Sequence, residues 1–199
     1  MHRSRDPVVC QWMIPRSRPV IPDVRRAAAM AIDGCQHSFG ELASDVLPKY
    51  MAELRRRMAN PFALSEFAVE RIGVAALCGR FALATDFSGC YVLLETGRPI
   101  YVGISRVVLQ RLRQHVRGTT HFDASLAYLI AASRQPHNQT RSGAMADATF
   151  RAGFREAQAY LRGLQVAFLE IANPLELYLF EAFAAMELDT CEWNTFETH

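Results

Sequence analysis

Long apolar runs are missing from this 199-residue chain. None approaches the roughly eighteen uninterrupted apolar residues of a membrane-spanning helix, so no transmembrane span is expected. The stretch from Met1 to Pro22 holds arginines but no continuous apolar centre, so no secretory signal is expected there. Cysteine is sparse and scattered. Cys10, Cys35, Cys78, Cys90 and Cys191 are odd in number and contain no CxxC pair. That is the pattern of reduced, mostly buried thiols in a cytoplasmic protein, not of a disulfide framework or a zinc site. Internal repeats and low-complexity tracts are absent too. Apolar bulk is plentiful: half the residues are hydrophobic, with twelve Phe, six Tyr and two Trp. The chain can therefore build one well-packed domain with an appendage, or two small domains.

Lysine is nearly absent as well, Lys49 being the sole one among 22 basic residues. Arginine forks suit phosphates, although a GC-rich coding sequence gives the same bias. The net charge of +2 hides an uneven distribution. Residues 81–120 carry five basic against two acidic residues, whereas residues 121–199 carry five against ten. From Ser105 to Gly118 the chain has Arg106, Arg111, Arg113 and Arg117 and no acid, a local basic surface of the kind nucleic acid requires.

Residues 1–22, with Pro7, Pro15, Pro19 and Pro22, read as an extended arm. Residues 23–87 read as a helical N-terminal region. One helix is expected from Asp23 to Asp33 with a stop at Gly34. A second opens at Ser38 on a capping box with Glu41 and is kinked or interrupted by Pro48. A third runs from Pro61 or Ser65 to about Arg80. At Ser88-Gly89 the pattern turns to strand. Cys90–Leu94 and Ile100–Ile104 flank Thr96-Gly97-Arg98-Pro99 and read as a hairpin. A loop from Thr96 to Arg98 sets Leu93 opposite Tyr101 and puts Tyr91 diagonal to Tyr101 on one sheet face. Ser105 is expected to cap a helix from Arg106 to Arg117 that ends at Gly118. Helices follow at Phe122–Ser133 and Ala144–Leu161, with a polar loop between them. Gln165–Ile171 reads as a buried third strand. Asn173-Pro174-Leu175-Glu176 opens a last helix to about Leu188.

Phosphodiester hydrolysis needs a positioned water, a nearby base and positive charge on the phosphate. Arg111 and His115 are one helical turn apart, so one face offers a phosphate-gripping fork and a proton acceptor. Glu181 lies in a helix that is apolar nearly all round, where an unpaired carboxylate is costly. A hard divalent ion such as Mg²⁺ would satisfy it. Glu176 is explained as a capping residue and Glu187 by the last turn. His121 and Asp123 read as a pair at a helix start.

The ordered set Gly89-Cys90-Tyr91, Tyr101-Val102-Gly103, Arg111, His115, Glu181 and Asn194 resembles the GIY-YIG nuclease family over residues 88–196. The resemblance implies an α/β (α+β) fold, with a small three-stranded antiparallel sheet flanked by helices. It makes Tyr91 and Tyr101 the motif tyrosines, Arg111 the phosphate-binding arginine and His115 the residue that assists a tyrosine. Glu181 becomes the metal ligand and Asn194 a supporting residue. Cys90 and Val102 replace isoleucines of the two triplets, on the face opposite the tyrosines. The domain would span 88–199, with a helical insertion at about 119–163.

The resemblance further implies a Mg²⁺- or Mn²⁺-dependent endonuclease leaving 5′-phosphate and 3′-hydroxyl ends. DNA is its expected partner, duplex favoured, and Arg106, Arg113 and Arg117 are further phosphate contacts. A non-catalytic nucleic-acid-binding module and an RNA or single-strand nuclease are the alternatives. Only five residues follow Asn194, so target selection is expected from the N-terminal helices, the insertion, a homodimer or a partner protein. A free phenol ionises near pH 10, and Arg111, a metal ion and His115 are each expected to push Tyr91 lower.

Overall fold

Tyr91 and Tyr101 owe their positions to the middle and the edge of one antiparallel sheet. The computed structural model describes residues 31–196. The expected arm at 1–22, and all of the expected helix before Ala31, lie outside them. From Ala31 onward the chain is one compact unit. Ile32–Gly34 is a single 3-10 turn in which Asp33 and Gly34 both take left-handed backbone (φ 50° and 72°).

Ser38 accepts from the Glu41 amide while the Glu41 carboxylate reaches back to Ser38, the reciprocal cap expected there. Helix α1 (Phe39–Glu41) runs through a π-helical stretch, Leu42–Val46, into α2 (Leu47–Met58). Pro48 stands in the first turn of α2. Its ring has no N–H and crowds the carbonyl four residues back, and the wider π register just before it accommodates both. The interruption is thus a change of helical register.

The helix expected from Pro61 to Arg80 is a correction: it is broken into three pieces. Phe62–Ala63 is a short strand, β1, paired with Val166 and Gln165. Leu64–Ala68 is 3-10, and α3 (Val74–Arg80) begins only after Gly73. The Phe62 ring stacks on Phe168 at 5.3 Å and meets Phe81 edge-on at 4.7 Å. Aromatic packing and an available sheet edge outweigh the local helical pattern.

β2 (Gly89–Glu95) and β3 (Arg98–Ser105) form the expected hairpin, but Glu95 pairs with Arg98 across a two-residue turn. Thr96 and Gly97 both have positive φ (48° and 83°), the tight-turn geometry that suits strand twist. A bulge at Leu93/Leu94 then restores the register, so that Leu93 faces Tyr101 and Tyr91 faces Gly103. Helix α4 (Val108–Arg117) follows, and α5 (Ser125–Arg134), α6 (Arg141–Ala146) and α7 (Ala148–Arg162) fill the chain between it and the last strand. The helix anticipated from Ala144 is divided, because Asp147 leaves α6 in extended backbone and caps α7 by accepting from the Phe150 amide.

β4 (Gln165–Glu170) completes the sheet. Its order is β1-β4-β2-β3, antiparallel throughout. The fold is therefore mixed α and β, with four strands where three were expected; the extra one is β1. Helix α8 (Pro174–Glu187) starts at the Asn173 cap.

Alternation along β2 divides the interior. Tyr91 and Leu93 point into a core made with α4, α5 and α7. Cys90, Val92 and Leu94 point into the opposite core, made with α2 and α8. Cys90 and Val102, the departures from the two triplets, are wholly buried in that second core. No helix among the described residues is long and apolar enough to cross a membrane.

Candidate active site

Both motif glycines are set by close approach. A Cβ on Gly103 would lie 2.5 Å from the ring end of Tyr91, and one on Gly89 would lie 2.2 Å from the Leu169 carbonyl oxygen. Glycine at 103 thus lets the Tyr91 ring lie across β3. The Tyr91 and Tyr101 rings end with centroids 6.2 Å apart, as the diagonal register requires.

Helix α4 brings His115 over these rings. The Tyr91 hydroxyl and His115 Nε2 are 2.7 Å apart. The expected Ser105 cap does not hold this helix; Ser105 Oγ instead accepts from the Val107 amide. Asp86 takes the role: one carboxylate oxygen accepts from Leu109 N at 2.9 Å and the other from Gln110 N at 3.0 Å. A carboxylate at the positive helix end is electrostatically favoured. Nothing in the sequence near Asp86 marks it for this, since it reaches the helix only through the fold.

Tyr91 is 1% exposed and His115 is fully enclosed. Burial pulls His115 down to about 3, with Arg111 adding in the same direction, so the imidazole is neutral near pH 7. Burial also drives Tyr91 well above its usual value, then Tyr101 adds to the rise, while Arg111 opposes it. Arg111 therefore acts in the expected sense, but desolvation outweighs it, and the free phenol stays protonated. The hydroxyl and the neutral imidazole share one hydrogen bond through Nε2, its direction set by the ring tautomer. His115 Nδ1 has no partner among the described residues.

The Arg111 fork is occupied. It donates to the Asp123 carbonyl at 2.9 Å and the Ser125 hydroxyl at 2.7 Å, with longer bonds to the Phe122 carbonyl and Gln114 Oε1. It thereby ties α4 to the start of α5. Thr120 and Asp123 bond to each other in the turn before α5, whose N-cap, Ala124, has no side-chain bond; His121, the other member of the expected helix-start pair, is instead buried against Phe122 and Tyr128.

Glu181 comes from α8. It is half-buried, without a hydrogen bond among the described residues, and burial raises its pKa. Its charge is felt by Tyr101 and by Cys90. Tyr101 itself is raised, chiefly by burial, against the opposing pull of Arg111. An unpaired carboxylate oxygen of this kind fits a hard divalent cation, which takes one or two carboxylates together with phosphate oxygens.

Asn194 binds the open edge of β3. Its Oδ1 accepts from Val102 N at 2.9 Å and its Nδ2 donates to Val102 O at 2.7 Å. The side chain replaces one residue of a missing neighbouring strand on β3. The other arginines diverge. Arg106 is exposed beside a cavity lined by Ile104, Leu177 and Tyr178. Arg113 is half-buried, and its Nη1 has no partner among the described residues. Arg117 is exposed yet donates to the Val69 carbonyl at 2.9 Å and the Ala68 carbonyl at 3.3 Å, so it also fastens the 3-10 segment to α4.

Glu176 departs from its expected role. The Asn173 side chain accepts from its amide, but the Glu176 carboxylate turns to His37, Tyr50 and Cys35. Comparison with family models, with curated proteins and with solved structures finds no match to this chain.

Proposed function

We propose that the protein is a metal-dependent endonuclease of the GIY-YIG kind that hydrolyses DNA phosphodiester bonds, in restriction, defence or DNA processing. The observation that carries this reading is the 2.7 Å contact between the Tyr91 hydroxyl and His115 Nε2, beside Tyr101 and Arg111. Glu181 would hold the Mg²⁺ or Mn²⁺ ion, which supplies positive charge to the scissile phosphate and the leaving oxygen.

The chain's own groups do the rest. The Tyr91 oxygen orients the attacking water and receives its proton as the phenolic proton passes to His115 Nε2. His115 is disinclined to become charged in this enclosure, so the transfer is favoured only as negative charge gathers on the phosphate. Arg111 is the cation positioned to meet that charge, exchanging the carbonyls of Phe122 and Asp123 for phosphate oxygens. Arg106, Arg113 and Arg117 contribute phosphate contacts along α4. A homodimer or partner protein would supply further specificity.

A second reading draws on a specific observation. Tyr91 and His115 are enclosed and the Arg111 fork is already satisfied within the protein. Those facts favour a nucleic-acid-binding module that keeps the arrangement as structure. One experiment separates the two. Plasmid, linear duplex, single-stranded DNA and RNA are incubated with the pure protein in Mg²⁺, in Mn²⁺ and in EDTA, beside the Glu181→Gln variant. The nuclease reading expects cleavage of duplex DNA only with metal and only by the native protein. Binding without cleavage in every metal, or full activity in EDTA or from Glu181→Gln, rejects it.

A further inference from the structure

The core opposite the tyrosines contains a second polar cluster that the nuclease reading leaves unused. His37 Nδ1 lies 2.9 Å from Glu176 Oε1, and Cys35 Sγ lies 3.7 Å from the same oxygen. The three donor atoms are all within 4.8 Å of one another. Cys35 and Glu176 are buried, whereas the His37 side chain is 43% exposed. Tyr50 donates from its hydroxyl to the other Glu176 oxygen at 2.7 Å.

Distance and donor type both narrow what this cluster can hold. A tetrahedral zinc ion with Zn–S near 2.3 Å and Zn–N and Zn–O near 2.1 Å places sulfur and oxygen about 3.6 Å apart, and nitrogen and oxygen about 3.4 Å apart. The observed sulfur–oxygen separation of 3.7 Å already meets the first value. The nitrogen–oxygen separation of 2.9 Å must open by about 0.5 Å to reach the zinc value, a small outward rotation of the half-exposed His37 ring. One thiolate, one imidazole and one carboxylate form a borderline-soft set that suits Zn²⁺ and not Mg²⁺. Charge also matches, since a thiolate and a carboxylate together offset a dication.

We propose that Cys35, His37 and Glu176 form a Zn²⁺ site, with its fourth position on the open His37 side, that pins the Cys35–His37 segment to the first turn of α8. On binding, the Cys35 thiol proton leaves to solvent and the sulfur–zinc bond forms as thiolate. Tyr50 keeps its hydrogen bond to the non-ligating Glu176 oxygen and so orients the carboxylate, as partners behind metal ligands do. The ligands come from sequence positions 35, 37 and 176, which explains why no metal-binding spacing is visible along the chain. The site is independent of the nuclease reading: it stands on the sheet face opposite Tyr91, and Glu181, though on the same helix α8, is not among its ligands.

The test titrates the full-length, metal-stripped protein with Cd²⁺ and Zn²⁺. Expected are one Cd²⁺ per chain, with an ultraviolet thiolate charge-transfer band that Zn²⁺ competes away, and a melting temperature raised by several degrees at saturating Zn²⁺. Cys35→Ser removes the band and the shift; His37→Ala, which alters a half-exposed side chain, weakens binding at least tenfold without unfolding the protein. Cys191→Ser, at an exposed thiol, leaves both signals as they are. No band in the native protein overturns the proposal. So does a band that survives both Cys35→Ser and His37→Ala, and in either case the nuclease assay is unaffected.

Discussion

Two polar clusters occupy opposite faces of one sheet, and they handle burial in contrary ways. On the tyrosine face, His115 is wholly enclosed and stays neutral, with one hydrogen bond to Tyr91 and its other ring nitrogen unpartnered among the described residues. On the α8 face, burial pushes the Glu176 carboxyl up, but hydrogen bonds from Tyr50 and His37 outweigh it and hold the group below its ordinary value. Tyr50 is correspondingly pushed up to about 12, by burial and then by Glu176. A buried group keeps its charge when donors surround it and surrenders it when they do not. The first cluster thus rests with a neutral imidazole, and the second favours the charged carboxylate.

The largest effects test whether the tyrosine face does chemistry. Tyr91→Phe is expected to lower single-turnover cleavage by at least about a hundredfold while DNA affinity stays near native, as loss of a proton-transfer group does. Arg111→Ala should lower the rate by a similar factor through lost transition-state charge. Arg113→Ala and Arg117→Ala should instead weaken binding and flatten its salt dependence. Equal, modest binding losses from all three arginines with an unchanged rate would return Arg111 to the purely structural role its bonds to Asp123 and Ser125 allow.

Next in size is a paired substitution on β3, one for each face. Gly103→Ala drives a methyl into the Tyr91 ring end and should abolish most activity while costing about 1–3 kcal/mol of stability. Val102→Ala, facing the other core, should cost a similar amount of stability, about 1–3 kcal/mol, yet leave the rate per folded molecule native. Urea titration alongside initial rates checks both, and the contrast fails if both variants lose activity only in proportion to folding.

An effect of comparable size over two pH units is set by pH. His115 ionises near 6.5 when unfolded and at about 3 when folded, so between these values the unfolded chain binds the extra proton. Stability is fully present above about pH 6.5 and is lost as pH falls toward 3, at up to about 1.4 kcal/mol per unit. The groups facing the ring are Tyr91, Tyr101 and Arg111. His115→Gln should remove that slope between pH 6.5 and 4.5, read from urea midpoints. An unchanged slope would mean that His115 is hydrated in solution.

The smallest expected change is at the edge. Asn194→Ala removes both hydrogen bonds to Val102 and should cost about 1–2 kcal/mol, with faster hydrogen exchange at the Val102 amide. A silent substitution would show that water replaces the side chain without loss.

Much of the molecule was legible locally. The capping signals at Ser38 and Asn173 act within one helical turn, so the sequence around them was sufficient. The Tyr91–Tyr101 diagonal could be read from alternation alone, although the loop was shorter than expected and a bulge made up the difference. Spacing put Arg111 and His115 on one face of α4, and the apolar surroundings of Glu181 singled it out.

Other features depended on residues far apart in the chain. The segment from Pro61 to Arg80 has helical periodicity, yet a vacant edge of β4 and a cluster of phenylalanines took part of it as strand. Asp86 displaced Ser105 as the cap of α4 because the fold brings its carboxylate to the open helix end. Glu176, adequate as a local capping residue, was drawn to His37 and Tyr50 across more than a hundred residues. The sequence by itself determined which side chains share a turn or a strand face, because helical and strand periods are properties of the backbone. Only the tertiary structure decided which of them lost water, since burial depends on what packs from elsewhere, and that loss is what leaves His115 neutral and Tyr91 protonated.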